Sequence, residues 1–256
     1  MHVIKERFWK FINSFYFKLN LSKSEQKSHL LFDVEQPFNE LYLKGMRISQ
    51  TPDSGTKRRA RFYNLISFLK TVNHIDAAVI ECGCWKGLSS YLMCHYLKIN
   101  NEKYDGKDFY VLDSFEGLSQ PSSEDVIHKS LVDGFGERKG TAFKAKGAYS
   151  ASLDAVKKVL YEFPNVKLNK GWIPESLNDL PNLTFKFVHI DLDLYEPIIG
   201  SLEYFYPKLV HGGVIVCDDY GSLYWPGAKK AVEEFAANTG LQFISLSSGQ
   251  AVFIKN

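Results

Sequence analysis

The sequence lacks any apolar run long enough to cross a membrane. No window contains the ~18 consecutive apolar residues of a membrane-spanning helix. The N-terminus also lacks a signal-peptide pattern, because Lys10, Asn13 and Lys18 interrupt its apolar positions and no small-residue cleavage site follows. We therefore expect a cytoplasmic protein.

The sequence also has few cysteines and almost no excess of charge of either sign. Its four cysteines are Cys82, Cys84, Cys94 and Cys217, and no second Cys or His pair stands at zinc-ligand spacing. Reduced thiols in or near the core are therefore expected, rather than a metal site or a disulfide. The formal net charge of +2 gives no reason to expect a nucleic acid as a partner.

At 256 residues the chain is long enough for one large α/β domain with an extra segment at one end. Apolar residues at helical spacing over 3–19 predict an amphipathic helix that docks on the domain, joins subunits or lies on a membrane surface. We expect an N-terminal helical extension over 1–56, serving as a substrate lid or oligomer contact, and a core domain over 57–256. The basic residues at 57–61 are expected to form a solvated helix face.

From residue 77 onward, predicted strands alternate with predicted helices. The strands are expected at 77–82, 108–113, 166–169, 184–191, 213–217, 242–245 and 251–254. The helical segments are expected at 88–99, 150–163, 174–180, 197–209 and 226–239. Repeated βα units specify an α/β fold with a parallel sheet and helices on both faces. A short connection at 247–249 predicts a final hairpin, and the long segment 116–147 is typical of a lid or binding element.

Acidic residues follow two apolar runs that are typical of buried parallel strands. Asp191 follows the first run, and Asp218 and Asp219 follow the second. Because parallel strands end at one edge of the sheet, these carboxylates are expected to converge there. Like charges at close range repel unless a cation neutralises them, and an all-oxygen set suits Mg²⁺ or Mn²⁺. The alternative is that these acids are helix caps or solvated loop residues.

A glycine-containing turn follows the first predicted strand of the core. Gly83 permits a tight turn, and Gly87 lets the backbone approach a ligand at the start of the next helix. The dinucleotide pattern G-x-G-x-x-G is broken because Trp85 stands where its middle glycine would be. Asp113, at the end of the second strand, is placed to accept hydrogen bonds from a ribose diol, a feature that an NAD enzyme would share.

With these motifs the sequence resembles the macrocin O-methyltransferase family, which uses S-adenosylmethionine (SAM) and Mg²⁺ to methylate sugar hydroxyls on antibiotics and related glycosides. The resemblance covers about 32–235 and is carried by the segments 79–87, 113–118, 170–172, 189–195, 212–221 and 225–232. It implies the class I Rossmann-like methyltransferase fold, with a seven-stranded, mostly parallel sheet and an antiparallel last strand. A more distant resemblance is to the catechol and caffeoyl-CoA O-methyltransferases.

The resemblance implies a role for each motif residue. The residues implied to hold the methionine portion of the cofactor are Glu81, Gly83, Trp85, Gly87 and Ser89. Those implied to bind the ribose are Asp113 and Ser114, and those implied to border the adenine are Gly171 and Trp172. Trp172 has the alternative role of covering the core. The implied metal ligands are Asp191, Asp218 and Asp219.

A base must take the proton of the acceptor hydroxyl, even when a divalent cation lowers the pKa of that hydroxyl. Catechol-type enzymes carry a lysine three residues after the metal aspartate, and this sequence has Leu194 there. We therefore predict that Asp191 is the catalytic base, with His189 and Asp193 as alternatives. Glu35 is a candidate acceptor of a substrate hydroxyl.

The predicted function is SAM- and metal-dependent O-methylation of a sugar hydroxyl on a glycoside or glycan precursor with vicinal hydroxyls. The alternatives are a catechol-type aromatic O-methyltransferase, an NAD-dependent oxidoreductase or epimerase, and a non-catalytic nucleotide-binding module. A homo-oligomer, dimer or tetramer, is expected from the aromatic N-terminal stripe and the resemblance. Peripheral membrane contact stays an open alternative.

Overall fold

The computed structural model describes residues 31–53, 55–127 and 142–256. The chain divides into two compact units, 1–35 and 36–256. In the first unit, the described residues form the short helix α1 (Leu31–Val34). The amphipathic helix predicted over 3–19 lies outside the described residues, and the domain boundary predicted at residue 56 stays a prediction.

The second unit contains a seven-stranded sheet. Its strands are β1 (Ala78–Cys82), β2 (Phe109–Asp113), β3 (Lys167–Lys170), β4 (Phe185–Ile190), β5 (Leu209–Cys217), β6 (Ile244–Ser245) and β7 (Ala251–Ile254). They lie in the order β3-β2-β1-β4-β5-β7-β6. Strands β1 to β5 pair in parallel, and β7 runs antiparallel to both of its neighbours. The predicted Rossmann-like α/β fold with an antiparallel last strand is therefore confirmed.

Helices cover both faces of this sheet. They are α2 (Phe38–Ser49), α3 (Thr56–Val72), α4 (Leu88–Asn100), α5 (Leu153–Val159), α6 (Tyr195–Phe205) and α7 (Pro226–Thr239). Helix α4 packs against α2 and α3, and α6 packs against α7. Because the central strands are buried on both sides, they consist of nearly continuous apolar residues. All four cysteines are buried free thiols, as predicted. Among the described residues, no helix has both the length and the apolar character needed to cross a membrane.

The main difference from the predicted elements is at β5. This strand begins at Leu209, which pairs with Phe185, and its register shifts before Val214 pairs with Phe187. The strand was predicted only from residue 213 because its first half contains a histidine and two glycines rather than an apolar run. The preceding helix α6 correspondingly ends at Phe205 instead of residue 209.

The chain order places a topological switch between β1 and β4. The strands that follow β1 in the chain extend the sheet on one side, through β2 to β3, whereas β4 and β5 extend it on the other side. The loops that leave the carboxyl ends of β1 and β4 therefore diverge and open a crevice there, which is where ligands bind in open α/β sheets.

Candidate active site

A cavity of about 510 Å³ lies at this crevice. One half of its wall, here called the cofactor half, follows β1, β2 and β3 and includes Gly83, Trp85, Asp113, Ser114, Gly171 and Trp172. The other half, here called the acidic half, follows β4 and β5 and includes Asp191, Asp193, Asp218 and Asp219. The start of α3 and an aromatic pair, Tyr149 and Trp225, complete the wall.

Gly83 makes the turn after β1 possible. Its φ angle is 83°, and a Cβ at this position would overlap the backbone carbonyl oxygen of Asp191. Any other residue would therefore push apart the loops after β1 and β4. Gly87, with a φ angle of 80°, is the N-cap of α4, so that helix begins beside the same turn.

Asp113 organises the loops of the cofactor half. Its Oδ2 accepts hydrogen bonds from the backbone N–H groups of Cys84 at 2.7 Å and Trp85 at 3.2 Å, and its Oδ1 accepts one from Phe115 at 2.7 Å. Each carboxylate oxygen has about two lone-pair sites, so acceptor capacity for a ligand hydroxyl remains. The carboxylate thus fixes the turn after β1 while it faces the cavity.

Three residues predicted to bind the cofactor do not line the cavity: Glu81, Gly87 and Ser89. The Glu81 side chain is fully buried, accepts a hydrogen bond from the Ser90 hydroxyl and lies 2.9 Å from Nδ1 of His189. In this structure Glu81 is therefore part of a buried polar group behind the cavity wall.

The acidic half contains four carboxylates. Oxygens of Asp191, Asp193 and Asp219 lie within 4.8 Å of one another, as do ligand atoms of His189, Asp191 and Asp218. Asp193 and Asp219 both have a φ angle of 62°, which non-glycine residues rarely adopt. Asp191 belongs to both groups, whereas Asp218 and Asp219 lie in separate ones.

The three predicted metal ligands meet at a side chain that the sequence did not indicate. Nη2 of Arg61 lies 2.5 Å from Oδ2 of Asp218, 3.1 Å from Oδ1 of Asp219 and 3.9 Å from Oδ1 of Asp191. The prediction that the basic run at 57–61 is a solvated face is therefore wrong for Arg61. Its contacts are to residues more than a hundred positions away, and only the unbalanced charge of the predicted acid cluster signals that a cation is needed.

The charges of this cluster shift the pKa values of its members. Burial and the neighbouring carboxylates raise the pKa values of Asp191 and Asp193 well above their ordinary range. Although burial opposes it, Arg61 and His189 hold the pKa of Asp218 below its usual range. Burial also opposes the charged form of His189, but Asp218 and Glu81 raise the pKa of its ring to about 10.

A second polar side chain that the sequence did not indicate, Gln250, holds Asp218 in place. Its Nε2 donates hydrogen bonds to Oδ1 of Asp218 at 2.8 Å and to the backbone carbonyl of Arg61 at 3.2 Å. Nδ2 of Asn64 lies 3.3 Å from Oε1 of Gln250. The residue before β7, helix α3 and the loop after β5 are thereby joined in one network.

The donor chemistry of the acidic half fits a divalent cation. The side chains of Asp191, Asp193, Asp218 and Asp219 offer oxygen donors only, and His189 is already paired with Glu81 at 2.9 Å. Hard cations such as Mg²⁺ and Mn²⁺ prefer carboxylate oxygens, so this donor set suits them.

The described ends of the predicted lid, 116–127 and 142–147, are attached to the domain. Oδ1 of Asp125 accepts a hydrogen bond at 2.8 Å from the backbone N–H of Tyr195, the first residue of α6. Val126 and Ala142 form an isolated antiparallel bridge. Residues 128–141 lie outside the described part of the chain, so the lid itself stays a prediction.

A sheet of this order, with a glycine turn after β1, an acid at the end of β2 and carboxylates after β4 and β5, is the arrangement of the class I O-methyltransferases. The chain belongs to the macrocin O-methyltransferase (TylF) family, whose sequence profile matches residues 26–247. This match confirms the family resemblance seen in the sequence.

Two curated relatives are antibiotic methyltransferases. Demethyldecarbamoylnovobiocin O-methyltransferase of Streptomyces niveus is 27% identical over 170 residues, which cover 64% of this chain and 60% of that enzyme. The 8-demethyl-8-(2,3-dimethoxy-alpha-L-rhamnosyl)-tetracenomycin-C 4'-O-methyltransferase of Streptomyces olivaceus is 26% identical over 200 residues, which cover 75% of this chain and 72% of that enzyme. The chain thus spans about 60% of the length of the first of these relatives.

Solved structures show the same fold. The O-methyltransferase NovP matches with a TM-score of 0.60 and 25% identity, over 77% of this chain and 79% of that one. CalS11, a calicheamicin methyltransferase, matches with a TM-score of 0.61 over 86% of this chain and 93% of that one. At 15% identity the second match bears on the fold alone.

Proposed function

We propose that this protein is a SAM-dependent, divalent-metal-dependent O-methyltransferase that methylates a sugar hydroxyl of a glycoside or glycan precursor. The observation that carries the proposal is a single cavity with a loop-built cofactor half on one side and a carboxylate cluster on the other. The relatives support the sugar acceptor, since one is named for a rhamnosyl group and another is mycinamicin III 3''-O-methyltransferase of Micromonospora griseorubida.

The cofactor half would hold SAM, which supplies an electrophilic methyl group on a sulfonium. Asp113 and Ser114 would bind the ribose, and Gly171 and Trp172 would border the adenine. Gly83 and Trp85 would lie against the methionine portion. Glu81, Gly87 and Ser89 stay proposed for the same end of the cofactor, although they do not line the cavity.

The acidic half would hold the metal through Asp191, Asp218 and Asp219. When bound, a divalent cation makes a sugar hydroxyl more acidic and fixes its position. Asp191 would accept the hydroxyl proton, because it faces the cavity beside the proposed metal position. Leu194, which stands where catechol-type enzymes carry their lysine, is buried and offers no base.

Aromatic side chains of the cavity wall suit a sugar ring. The rings of Trp85 and Tyr149 lie 5.5 Å apart, and those of Tyr149 and Trp225 lie 6.4 Å apart. All three residues line the cavity, and binding sites for small molecules combine such apolar surfaces with a few polar groups. A cytoplasmic location, a homo-oligomeric state and peripheral membrane contact are further expectations from the sequence.

A methyl-transfer assay tests this proposal. The purified protein is incubated with radiolabelled SAM and with dTDP-L-rhamnose, methyl α-L-rhamnoside, its 3-deoxy analogue or catechol, in Mg²⁺ or in EDTA. The 3-deoxy sugar keeps hydroxyls only at C2 and C4 and so has no vicinal pair. We expect label on a rhamnose probe with vicinal hydroxyls, none on the 3-deoxy sugar, and loss of transfer in EDTA. Labelling of catechol alone, or undiminished transfer to sugar in EDTA, would contradict the proposal.

A further inference from the structure

We propose that the Arg61 guanidinium is an internal counter-ion of the acidic half, and that it must withdraw before a divalent cation binds there. This inference rests on the proposed function, because the cation in question is the proposed metal. It adds that metal binding is a competition with a side chain of the same protein.

One nitrogen atom contacts carboxylates from two different loops. Nη2 of Arg61 lies 2.5 Å from Oδ2 of Asp218 and 3.1 Å from Oδ1 of Asp219, and it lies 3.9 Å from Oδ1 of Asp191. A divalent cation that used these oxygens would approach each to about 2.0–2.6 Å. It would then overlap the guanidinium and be repelled by its charge, so the two cannot occupy this position together.

Arg61 is the cation of the cluster that is free to leave. Its side chain is 25% exposed and lines the cavity, whereas the His189 side chain is 1% exposed and lies 2.9 Å from Glu81. The backbone of Arg61 is held by the hydrogen bond from Gln250, so the side chain can rotate away without movement of α3.

The Arg61 guanidinium keeps the acidic half assembled in the absence of metal. Carboxylates at this separation repel one another, and Asp218 and Asp219 are both only 5% exposed. The guanidinium compensates part of that repulsion, at the cost of weaker metal binding. Removing the guanidinium should therefore strengthen metal binding and weaken the metal-free fold, two effects that a purely structural arginine would not combine.

The test is Mn²⁺ binding, measured by calorimetry and electron paramagnetic resonance on the full chain without cofactor. The variant is Arg61→Met, which keeps an unbranched, flexible side chain and removes the charge. The matched control is Lys70→Met, which removes a charge from the last turn of the same helix, far along the chain from the cluster. We expect Arg61→Met to bind Mn²⁺ at least about tenfold more tightly than the wild type and the control.

Thermal unfolding supplies the second readout. In EDTA, Arg61→Met is expected to unfold at a lower temperature than the wild type and Lys70→Met, and saturating Mn²⁺ is expected to remove most of that difference. Equal Mn²⁺ affinity of the wild type and Arg61→Met would contradict the proposed competition between Arg61 and the metal, and it would leave the proposed metal dependence intact. An absence of Mn²⁺ binding in both proteins would overturn the proposed metal dependence as well.

A measurement on the wild type covers the case in which Arg61→Met does not fold. Nitrogen-15 NMR of the arginine side chains, with the Arg61 resonance assigned from Arg61→Lys, follows the guanidinium directly. We expect this resonance to shift as Mg²⁺ is added, because its carboxylate partners are lost. An Arg61 resonance that does not move at saturating Mg²⁺ would contradict the proposal.

Discussion

The cofactor half of the cavity is built mainly from backbone and glycine, whereas the acidic half is built from charged side chains. In the first, Gly83 leaves room for a neighbouring loop, and the carboxylate of Asp113 accepts three backbone N–H groups. In the second, Asp218 is held by Arg61 and Gln250. A half fixed by steric fit and local hydrogen bonds keeps its shape without a ligand, but a half fixed by charge depends on which cation is present.

The largest expected effect comes from Gly83→Ala, which disrupts the cofactor half. The new Cβ would overlap the carbonyl oxygen of Asp191, and the φ angle of 83° would add strain. We expect the affinity for S-adenosylhomocysteine (SAH), measured by calorimetry, to fall at least about 100-fold. The control is Gly240→Ala, where φ is 69° and no atom lies within 4 Å of the added Cβ. Equal SAH affinity of the two variants would contradict the steric account.

The next effect is expected from Asp191→Asn in the acidic half, which should lower turnover without lowering the affinity for the cofactor. This change removes the proposed base and one metal ligand, so methyl transfer should fall about 10²–10⁴-fold. SAH affinity should stay within about threefold of the wild type, since the cofactor half is untouched. The control, Asp154→Asn, alters an exposed aspartate on α5. Metal binding together with full turnover in Asp191→Asn would rule out its catalytic role.

A smaller effect is expected from Asp113→Asn, which tests whether a change in the cofactor half leaves metal binding in the acidic half unaffected. An amide accepts through one atom only, so the three N–H groups that Asp113 now satisfies cannot all be retained. We expect SAH to bind about tenfold more weakly, with Mn²⁺ affinity unchanged. The matched control is Asp105→Asn, an aspartate that also accepts a backbone N–H. A larger loss of Mn²⁺ than of SAH affinity would show that the halves are not separate.

The smallest expected effect is on the pH dependence of the free energy of unfolding. The folded protein raises the pKa of His189 to about 10 from an ordinary value of 6.5, so the charged ring stabilises the fold fully below pH 6.5. This contribution is lost as the pH rises from 6.5 to 10. In EDTA, the free energy of unfolding in urea should fall more steeply over this range for the wild type than for His189→Asn. Parallel pH profiles of the two proteins would contradict the charged-histidine assignment.

The sequence allowed the strand ends and the acids beside them to be predicted, because both follow from local patterns. An apolar run followed by Asp191 or Asp113 identifies the carboxyl end of a buried parallel strand. The burial of Glu81 on the opposite side of β1 from Ile80 and Cys82 is also implicit in strand alternation, but the motif resemblance led instead to a direct cofactor role.

Arg61 and Gln250 could not be predicted in the same way. Each makes its decisive contact with Asp218, across 157 and 32 residues respectively, so no spacing within one element reveals it. A basic residue at the start of a helix is usually solvated. Only tertiary packing of α3 and β7 against the loop after β5 brings these side chains to the acids.

The most direct test of the two-part site is calorimetric titration of SAH into the wild-type chain, first in EDTA and then in Mg²⁺. The account predicts binding at one site per chain in both conditions, with dissociation constants within about threefold of each other, and no binding of NAD⁺. Absence of SAH binding in both conditions would contradict the cofactor assignment. Binding that requires Mg²⁺ would contradict the independence of the two halves.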